Sequence, residues 1–330
     1  MKKEKVFVGA AKIERTLDKE YKYNIWRPFT AALQEYKLVN EGDKVCVCIS
    51  GGKDSMLMAL LFKHLKKYSP VHFDVKYLVM NPGYNERNLE QIKTNLKKLE
   101  IPATIVSTDI FEIANNTAKS PCYLCAKMRR GALYRIAKDY GCNKIALGHH
   151  YDDVIGTTLM NMLNSGSFQT MLPKLHSTHY SGMEIIRPLY FIRESDIISW
   201  KDFNELTFIQ CACKFTEAVA DVNSHENSQR LKTKQLIAEL KEHYNPYVEK
   251  NIFRAAENVT LDMILGYNYE GVEHSFMETY EAEGIKTNKA IIESKIEEKA
   301  IEKANDEHRA FIYDESLNFE KEAEDGKDGK

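Results

Sequence analysis

Ser50-Gly51-Gly52-Lys53-Asp54-Ser55 stands between two very different neighbours. Before it runs the apolar Val45-Cys46-Val47-Cys48-Ile49, and after it a helical stretch covers Met56 to Lys66. A strand, two glycines and then a helix is how a chain offers bare backbone N–H groups to phosphate. Glycine has no Cβ, so the backbone turns tightly and comes close to an anion. The helix start adds donors without intrahelical partners and a partial positive charge. Ser50, Lys53 and Ser55 add two hydroxyls and an ammonium. The spacing is not that of a Walker A loop, which ends Gly-Lys-Ser/Thr after a longer insertion. The structural alternative is a Gly-Gly turn on the surface, and the flanking strand and helix argue against it. Read as exposed, the loop should accept Gly51→Val without loss of fold.

Outward from this loop, strand and helix patterns alternate. Strands are expected at 44–50, 71–80, 103–107, 144–149 and 184–189, and helices at 55–68, 85–100, 125–140 and 152–163. The helix at 85–100 carries Leu89, Ile92, Leu96 and Leu99 along one stripe. Such alternation predicts an α/β fold, a parallel sheet with helices on both faces. Phosphate sites in these sheets lie at the carboxyl ends of strands, where the hexapeptide falls. Tyr23, Trp26, Phe29, Leu33 and Tyr36 give residues 12–40 helical spacing. The resulting division is a lead-in segment (1–43), the phosphate-loop domain (44–192), a helical C-terminal extension (193–267) and an acidic tail (268–330). Within the tail, residues 286–304 read as a solvated helix and 320–330 as disordered.

The 43% hydrophobic content is ample for a core, and no run of 18 apolar residues suggests a transmembrane helix. Met1-Lys2-Lys3-Glu4-Lys5 is not followed by a signal-peptide apolar region. A cytoplasmic location is expected, with the seven cysteines as reduced thiols or metal ligands. The net charge of −2 conceals an asymmetry. Residues 268–330 hold 18 acidic and 9 basic residues, and residues 1–267 hold 30 acidic and 37 basic. The body is thus at +7 and the tail at −9, so a polyanionic partner suits the body.

Pro121-Cys122-Tyr123-Leu124-Cys125 puts two thiols three positions apart at a helix start, where both can reach one metal or cluster. Cys211-Ala212-Cys213 follows 86 residues after Cys125. Three thiolates from these groups would hold a [4Fe–4S] cluster and leave one iron open. A four-thiolate zinc site or a redox dithiol are the rivals. Cys46 and Cys48 read as small core residues of the first strand, and Cys142 as incidental to a turn. Arg129 shares a helix face with Cys125, amid Lys127, Arg130 and Arg135. Gly148-His149-His150-Tyr151-Asp152-Asp153 closes a strand and opens a helix. Asp152 or Asp153 can cap that helix, or serve the site at the same sheet edge.

Together, SGGKDS, PCYLCAKMRRGALYR, KIALGHHYDD, EIIRPL and a late cysteine resemble the tRNA 2-thiocytidine biosynthesis family (TtcA-like). These are iron–sulfur-dependent tRNA thiolases of the PP-loop ATP pyrophosphatase superfamily, and the likeness spans about residues 20–267. The resemblance implies an adenine nucleotide alpha hydrolase-like fold, ATP with Mg²⁺ on Ser50–Ser55, and a [4Fe–4S] cluster on Cys122, Cys125 and one late cysteine. Cys211 is favoured, because Phe208-Ile209-Gln210-Cys211 sits where the family has an apolar run ending in Pro-Cys. The CxC spacing departs from the family's CxxC and leaves Cys213 as the alternative. Implied catalytic residues are Asp54, Arg129, Asp152 and Asp153. The implied reaction adenylates a base carbonyl oxygen of tRNA and replaces it with sulfur, forming 2-thiocytidine. Sulfur would come from a cysteine desulfurase or free sulfide, and a homodimer is one admissible state. Thiolation of a uridine, a PP-loop ligase of the lysidine- or amide-forming type, and a non-enzymatic zinc-bearing RNA-binding protein are the competing readings.

Overall fold

Strand β1 (Lys44–Ile49) lies inside a six-stranded sheet of order β3-β2-β1-β4-β6-β5. The structure, a computed structural model, describes residues 9–116, 121–209 and 229–282, with Ile296 and Lys299 beyond them. The other strands are β2 (Asp74–Asn81), β3 (Ala103–Ser107), β4 (Lys144–Ala146), β5 (Lys174–His176) and β6 (Glu184–Ile186). All pairings are parallel except β5 on β6. From β1 the chain moves outward to β2 and β3, then crosses to β4 on the other side. The order therefore reverses between β1 and β4, and a crevice opens at their carboxyl ends.

The parallel α/β sheet expected from the sequence is thus the one observed. Residues Val45 through Ile49 are all buried, as a central strand covered on both faces requires. Successive side chains supply opposite faces. Val45, Val47 and Ile49 join a large core with α3 (Lys53–Tyr68), while Cys46 and Cys48 join a smaller one with Cys142, Tyr134 and Ile145. Cys142 is therefore a core residue, not an incidental turn residue. Its thiol pKa is raised by a hydrogen bond with Cys46 and by burial.

Several elements depart from expectation. The lead-in is three pieces, α1 (Ala10–Arg15), a π-helical turn (Lys22–Trp26) and α2 (Arg27–Glu35). The interruption falls at residues 16–21, a run of turns after α1, whereas the π-helical turn continues directly into α2 with helical dihedrals at Trp26 and Arg27. This segment is no appendage: Leu17, Ile25 and Phe29 are fully buried in the same core as α3 and Trp200. Between α4 (Glu86–Leu99) and α6 (Pro121–Asp139) lies the short α5 (Ile110–Asn116), which the sequence reading omits. Helices α7 (Tyr151–Ser165) and α8 (Glu194–Phe203) flank the last strands. Then come α9 (Gln229–His243) and α10 (Val248–Glu257).

The chain divides into two units at Asn258/Val259. The expected border at 267/268 falls instead inside β7 (Gly266–Tyr269), which pairs antiparallel with β8 (Val272–Ser275) ahead of α11 (Phe276–Ala282). A truncation meant to remove the tail should end at Asn258. The expected helix at 286–304 and disorder at 320–330 lie outside the described residues. Among the described residues no helix is long and apolar enough to cross a membrane.

His64 of α3 fixes the lead-in. It is 2% exposed, with Nδ1 3.0 Å from Glu14 Oε1 and Nε2 2.8 Å from Asp18 Oδ1. Both partners are carboxylates, so both ring nitrogens must donate and the ring is imidazolium. Burial works against that charge, but Glu14 and Asp18 raise the pKa above 6.5. Because the folded-state value is raised, the contribution is complete below pH 6.5 and fades as pH rises through the folded value. Losing one charge-assisted bond should cost about 1.5–3 kcal/mol. Urea unfolding of the wild type should therefore show stability falling as pH rises from 6.5 through the raised folded-state value. His64→Phe should lack that slope.

Candidate active site

The hexapeptide caps the crevice at the end of β1. Gly52 is the N-cap of α3, so the first-turn N–H groups have no intrahelical acceptor and face outward from the helix start. The two serines hold the loop itself. Ser55 Oγ donates to the Gly52 carbonyl (3.0 Å) and lies 3.1 Å from both Ser50 N and Ser50 Oγ. Tyr84, at the turn after β2, donates from its hydroxyl to the Ser50 carbonyl (3.2 Å).

Gly51 is buried, against the expectation of an exposed loop. Its φ is +90°, and a Cβ there would lie 2.6 Å from Ile92 Cγ1 and 2.7 Å from Ile209 Cδ1. Gly51→Val should consequently destabilise the fold by roughly 2–5 kcal/mol, combining left-handed strain with overpacking. Thermal unfolding measures this, and the substitution cannot isolate phosphate binding. Gly148, at the end of β4, meets the same helix: its Cβ would stand 3.2 Å from Ser55 N. The loop thus sits directly on the β4 turn.

A cleft of about 1240 Å³ opens beside the loop. Lys53, Asp54, Arg129, His149, Asp152 and Asp153 all line it, so the candidate residues from α3, α6 and α7 converge. Lys53 Nζ lies 3.0 Å from Glu194 Oε1 and 3.2 Å from Asp54 Oδ1. Burial opposes its charge, but Asp54 and Glu194 raise its pKa. Asp54 Oδ1 is buried, within ion-pair distance of Lys53 but without hydrogen-bond geometry to any described residue. It is 4.0 Å from His150 Nε2. A buried carboxylate oxygen lacking a donor suits a divalent cation carried in by a polyphosphate.

Asp152 and Asp153 differ in their partners. Asp152 accepts two bonds from Arg193, Nη2 at 2.9 Å and Nε at 3.3 Å, and the Glu194 N–H at 2.7 Å. It therefore caps α8 from outside and fixes where Glu194 stands. Arg193 continues to Glu249 Oε1 (2.5 Å) and lies over the Tyr151 ring. The N-cap of α7 is His150, not either aspartate as expected; Asp153, in the third helical position, accepts the His150 N–H (3.1 Å) and meets Arg230 of α9. His149 is pushed down to about 4 by burial and by Arg187, so its ring is neutral near pH 7. Glu194, Arg230 and Lys234 line the cleft as well, although the sequence reading singles out none of them. Their one signal is position: Glu194 opens a helix soon after the EIIRPL segment. Cys48 also lines the cleft, although it reads as core.

The thiol region adjoins this cleft. Cys122 and Cys125 lie in the first turns of α6, and Cys125 is half-buried against the small cluster of Met80, Ile110 and Ala132, of which Met80 lines the cleft. Arg129, four residues on, lines the cleft, whereas Lys127, Arg130 and Arg135 are exposed. Cys211 and Cys213 lie outside the described residues. The chain is described up to Ile209, whose carbonyl lies 3.9 Å from where a Gly52 Cβ would be. Asn95 and Gln91 donate to the Thr207 carbonyl (2.9 and 3.2 Å) and pin this approach. Among the described residues no three His, Cys, Asp or Glu side chains form a metal site. Of the expected cluster ligands, Cys125 is the one whose side chain is among the described residues.

A loop of this sequence at the strand-order reversal of a parallel sheet defines a PP-loop fold, and the PP-loop domain model matches residues 21–214. Curated relatives narrow this. A tRNA-cytidine(32) 2-sulfurtransferase of Variovorax paradoxus is 34% identical over 274 residues, covering 81% of this chain and 83% of its own length. One from Pseudomonas entomophila is 35% identical, covering 72% and 84%. The chain belongs to the tRNA-cytidine(32) 2-sulfurtransferase family of PP-loop proteins. Among solved structures, the U34-tRNA thiolase NcsA from Methanococcus maripaludis, described with its [4Fe–4S] cluster, shares the fold. Its TM-score is 0.56 at 20% identity, over 75% of this chain and 81% of that one.

Proposed function

We propose that this protein is an ATP-dependent tRNA sulfurtransferase that forms 2-thiocytidine, with cytidine 32 as the target. The observation that carries this is one cleft lined both by the phosphate-ready start of α3 and by Arg129 of α6, the helix whose first turns bear the cysteine pair. Family membership supports cytidine over the uridine and ligase readings.

A carbonyl oxygen is a poor leaving group, and transfer of AMP onto it makes it a good one. The base O2 attacks the α-phosphate of ATP, the α–β bridging bond breaks, and pyrophosphate leaves. The α3 N–H groups and Lys53 would hold the departing phosphates where charge accumulates. Asp54 would hold Mg²⁺ against them through Oδ1. Asp152 acts at one remove, orienting Arg193 and Glu194. Arg129 faces the same space from α6 and supplies positive charge for phosphate or RNA backbone. His149, neutral, offers hydrogen bonding and no charge. Cys122, Cys125 and a cysteine at 211 or 213 would hold the [4Fe–4S] cluster; the approach of Ile209 to the loop supports a third ligand from that stretch. When bound, the cluster supplies a sulfur nucleophile for the activated carbon, and AMP departs. A cysteine desulfurase or free sulfide would replenish the sulfur. The exposed Lys127, Arg130 and Arg135 suit tRNA phosphates, whose binding should weaken with salt.

Protein purified without oxygen should be brown, contain iron and, given ATP, Mg²⁺ and sulfide, form 2-thiocytidine in unmodified tRNA. A colourless zinc protein that leaves tRNA unchanged would overturn the proposal.

A further inference from the structure

Lys53 is already engaged in this structure. Its ammonium sits 3.0 Å from Glu194 Oε1, and Glu194 Oε2 meets Lys234 of α9. One carboxylate thus takes one cation from the phosphate-loop helix and one from α9. The backbone N–H of Glu194 is bonded to Asp152 of α7 at 2.7 Å, which fixes where its side chain starts and leaves the carboxylate free to swing between the two cations. Burial would raise its pKa, but Lys234 and Lys53 hold it down to about 2, so the carboxylate is charged at any working pH. The arrangement is part of a series along α9. Arg230 meets Asp153, Lys234 meets Glu194, and Lys241 meets Glu249 at 2.7 Å. Spacings of four and seven put the three cations on one helical stripe, and all three line the cleft.

We propose that Glu194 is an internal stand-in for phosphate: it occupies Lys53 while the cleft is empty, and an arriving polyphosphate displaces it, leaving Glu194 to Lys234. The inference rests on the nucleotide reading of the cleft. A carboxylate and a phosphate oxygen compete for the same ammonium, since Lys53 cannot point at both with full strength. The measured affinity for polyphosphate is then the intrinsic affinity reduced by the fraction of molecules in which Lys53 is free. Lys234 sets that fraction. By sharing Glu194 it weakens the hold on Lys53, and after the exchange it keeps Glu194 from being a buried carboxylate without a cation. Glu194 is therefore a positioning residue, acting through Lys53, and α9 senses whether the phosphates are present.

Competition predicts opposite signs for two neighbouring substitutions. Glu194→Gln keeps the shape and removes the competitor, so inorganic pyrophosphate should bind about three- to tenfold tighter by calorimetry. Lys234→Met leaves Glu194 wholly to Lys53, so pyrophosphate should bind about threefold or more weaker. Adenosine, which has no phosphates, should bind all variants alike. The double substitution is decisive. If Lys234 acts through Glu194, Lys234→Met has no effect once Glu194 is Gln. If Lys234 touches phosphate itself, or acts only through its charge, the loss is the same in both backgrounds and the inference fails. It also fails if Glu194→Gln binds pyrophosphate no tighter than wild type while wild type binds it. A wild type that binds neither pyrophosphate nor ATP overturns the nucleotide reading, and this inference with it.

Discussion

Replacing Lys53 with methionine should lower kcat/KM for ATP-dependent pyrophosphate release by about 10²–10³-fold, the loss typical of removing one donor aimed at developing charge. Methionine keeps most of the stem, which packs against the crevice, and deletes the ammonium. Two features limit the damage to the fold. Glu194 retains Lys234, and Asp54 stays near His150. Thermal unfolding should therefore be nearly unchanged while release of labelled pyrophosphate collapses. Lys53→Arg should not restore activity, because a planar guanidinium does not replace a compact ammonium between Asp54 and Glu194. A Lys53→Met protein that releases pyrophosphate at the wild-type rate would remove the loop from the reaction.

The parallel sheet was legible in the sequence because its strands have one meaning. A continuous run such as Val45–Ile49 must be covered on both faces, and the α4 stripe of Ile92, Leu96 and Leu99 has one helical reading. What escaped depends on tertiary context. β5 is three exposed residues on the sheet edge, with no apolar alternation to reveal it. The break in the lead-in falls in the turns at residues 16–21, which the apolar spacing from Tyr23 onward does not reach. Gly51 read as exposed because Gly-Gly turns usually are; Ile92 and Ile209, distant in sequence, bury it. At the site, the hexapeptide and the cysteine pair could be seen because each is a local pattern. Glu194 could not. An acidic residue in a first helical turn is usually explained by the helix dipole, and only the fold brings it to Lys53. Asp152 shows the reverse case: a conspicuous carboxylate whose oxygens are committed to Arg193 and the Glu194 N–H.

Serine at Cys122 or Cys125 should remove bound iron and cut 2-thiocytidine formation by more than about a hundredfold, since losing even outer-shell support for a metal site costs 10–100-fold. The two halves of the proposed reaction should then separate. The phosphate loop stands on β1 and α3, whereas the thiols stand on α6, so ATP-dependent pyrophosphate release with tRNA should survive in these variants. Wild-type iron content in Cys125→Ser would exclude that cysteine as a ligand. Cys46 and Cys142 provide the control. Both lie in the smaller core, and a serine hydroxyl buried there should cost about 1–3 kcal/mol of stability while leaving iron in place. Cys48 is a less clean control, because it also lines the cleft. The third ligand is decided by the same measurement on Cys211→Ser and Cys213→Ser. Iron should be lost from the first and kept by the second. The opposite result would move the ligand to Cys213, and loss of iron from neither would send the search for the third thiolate elsewhere in the chain.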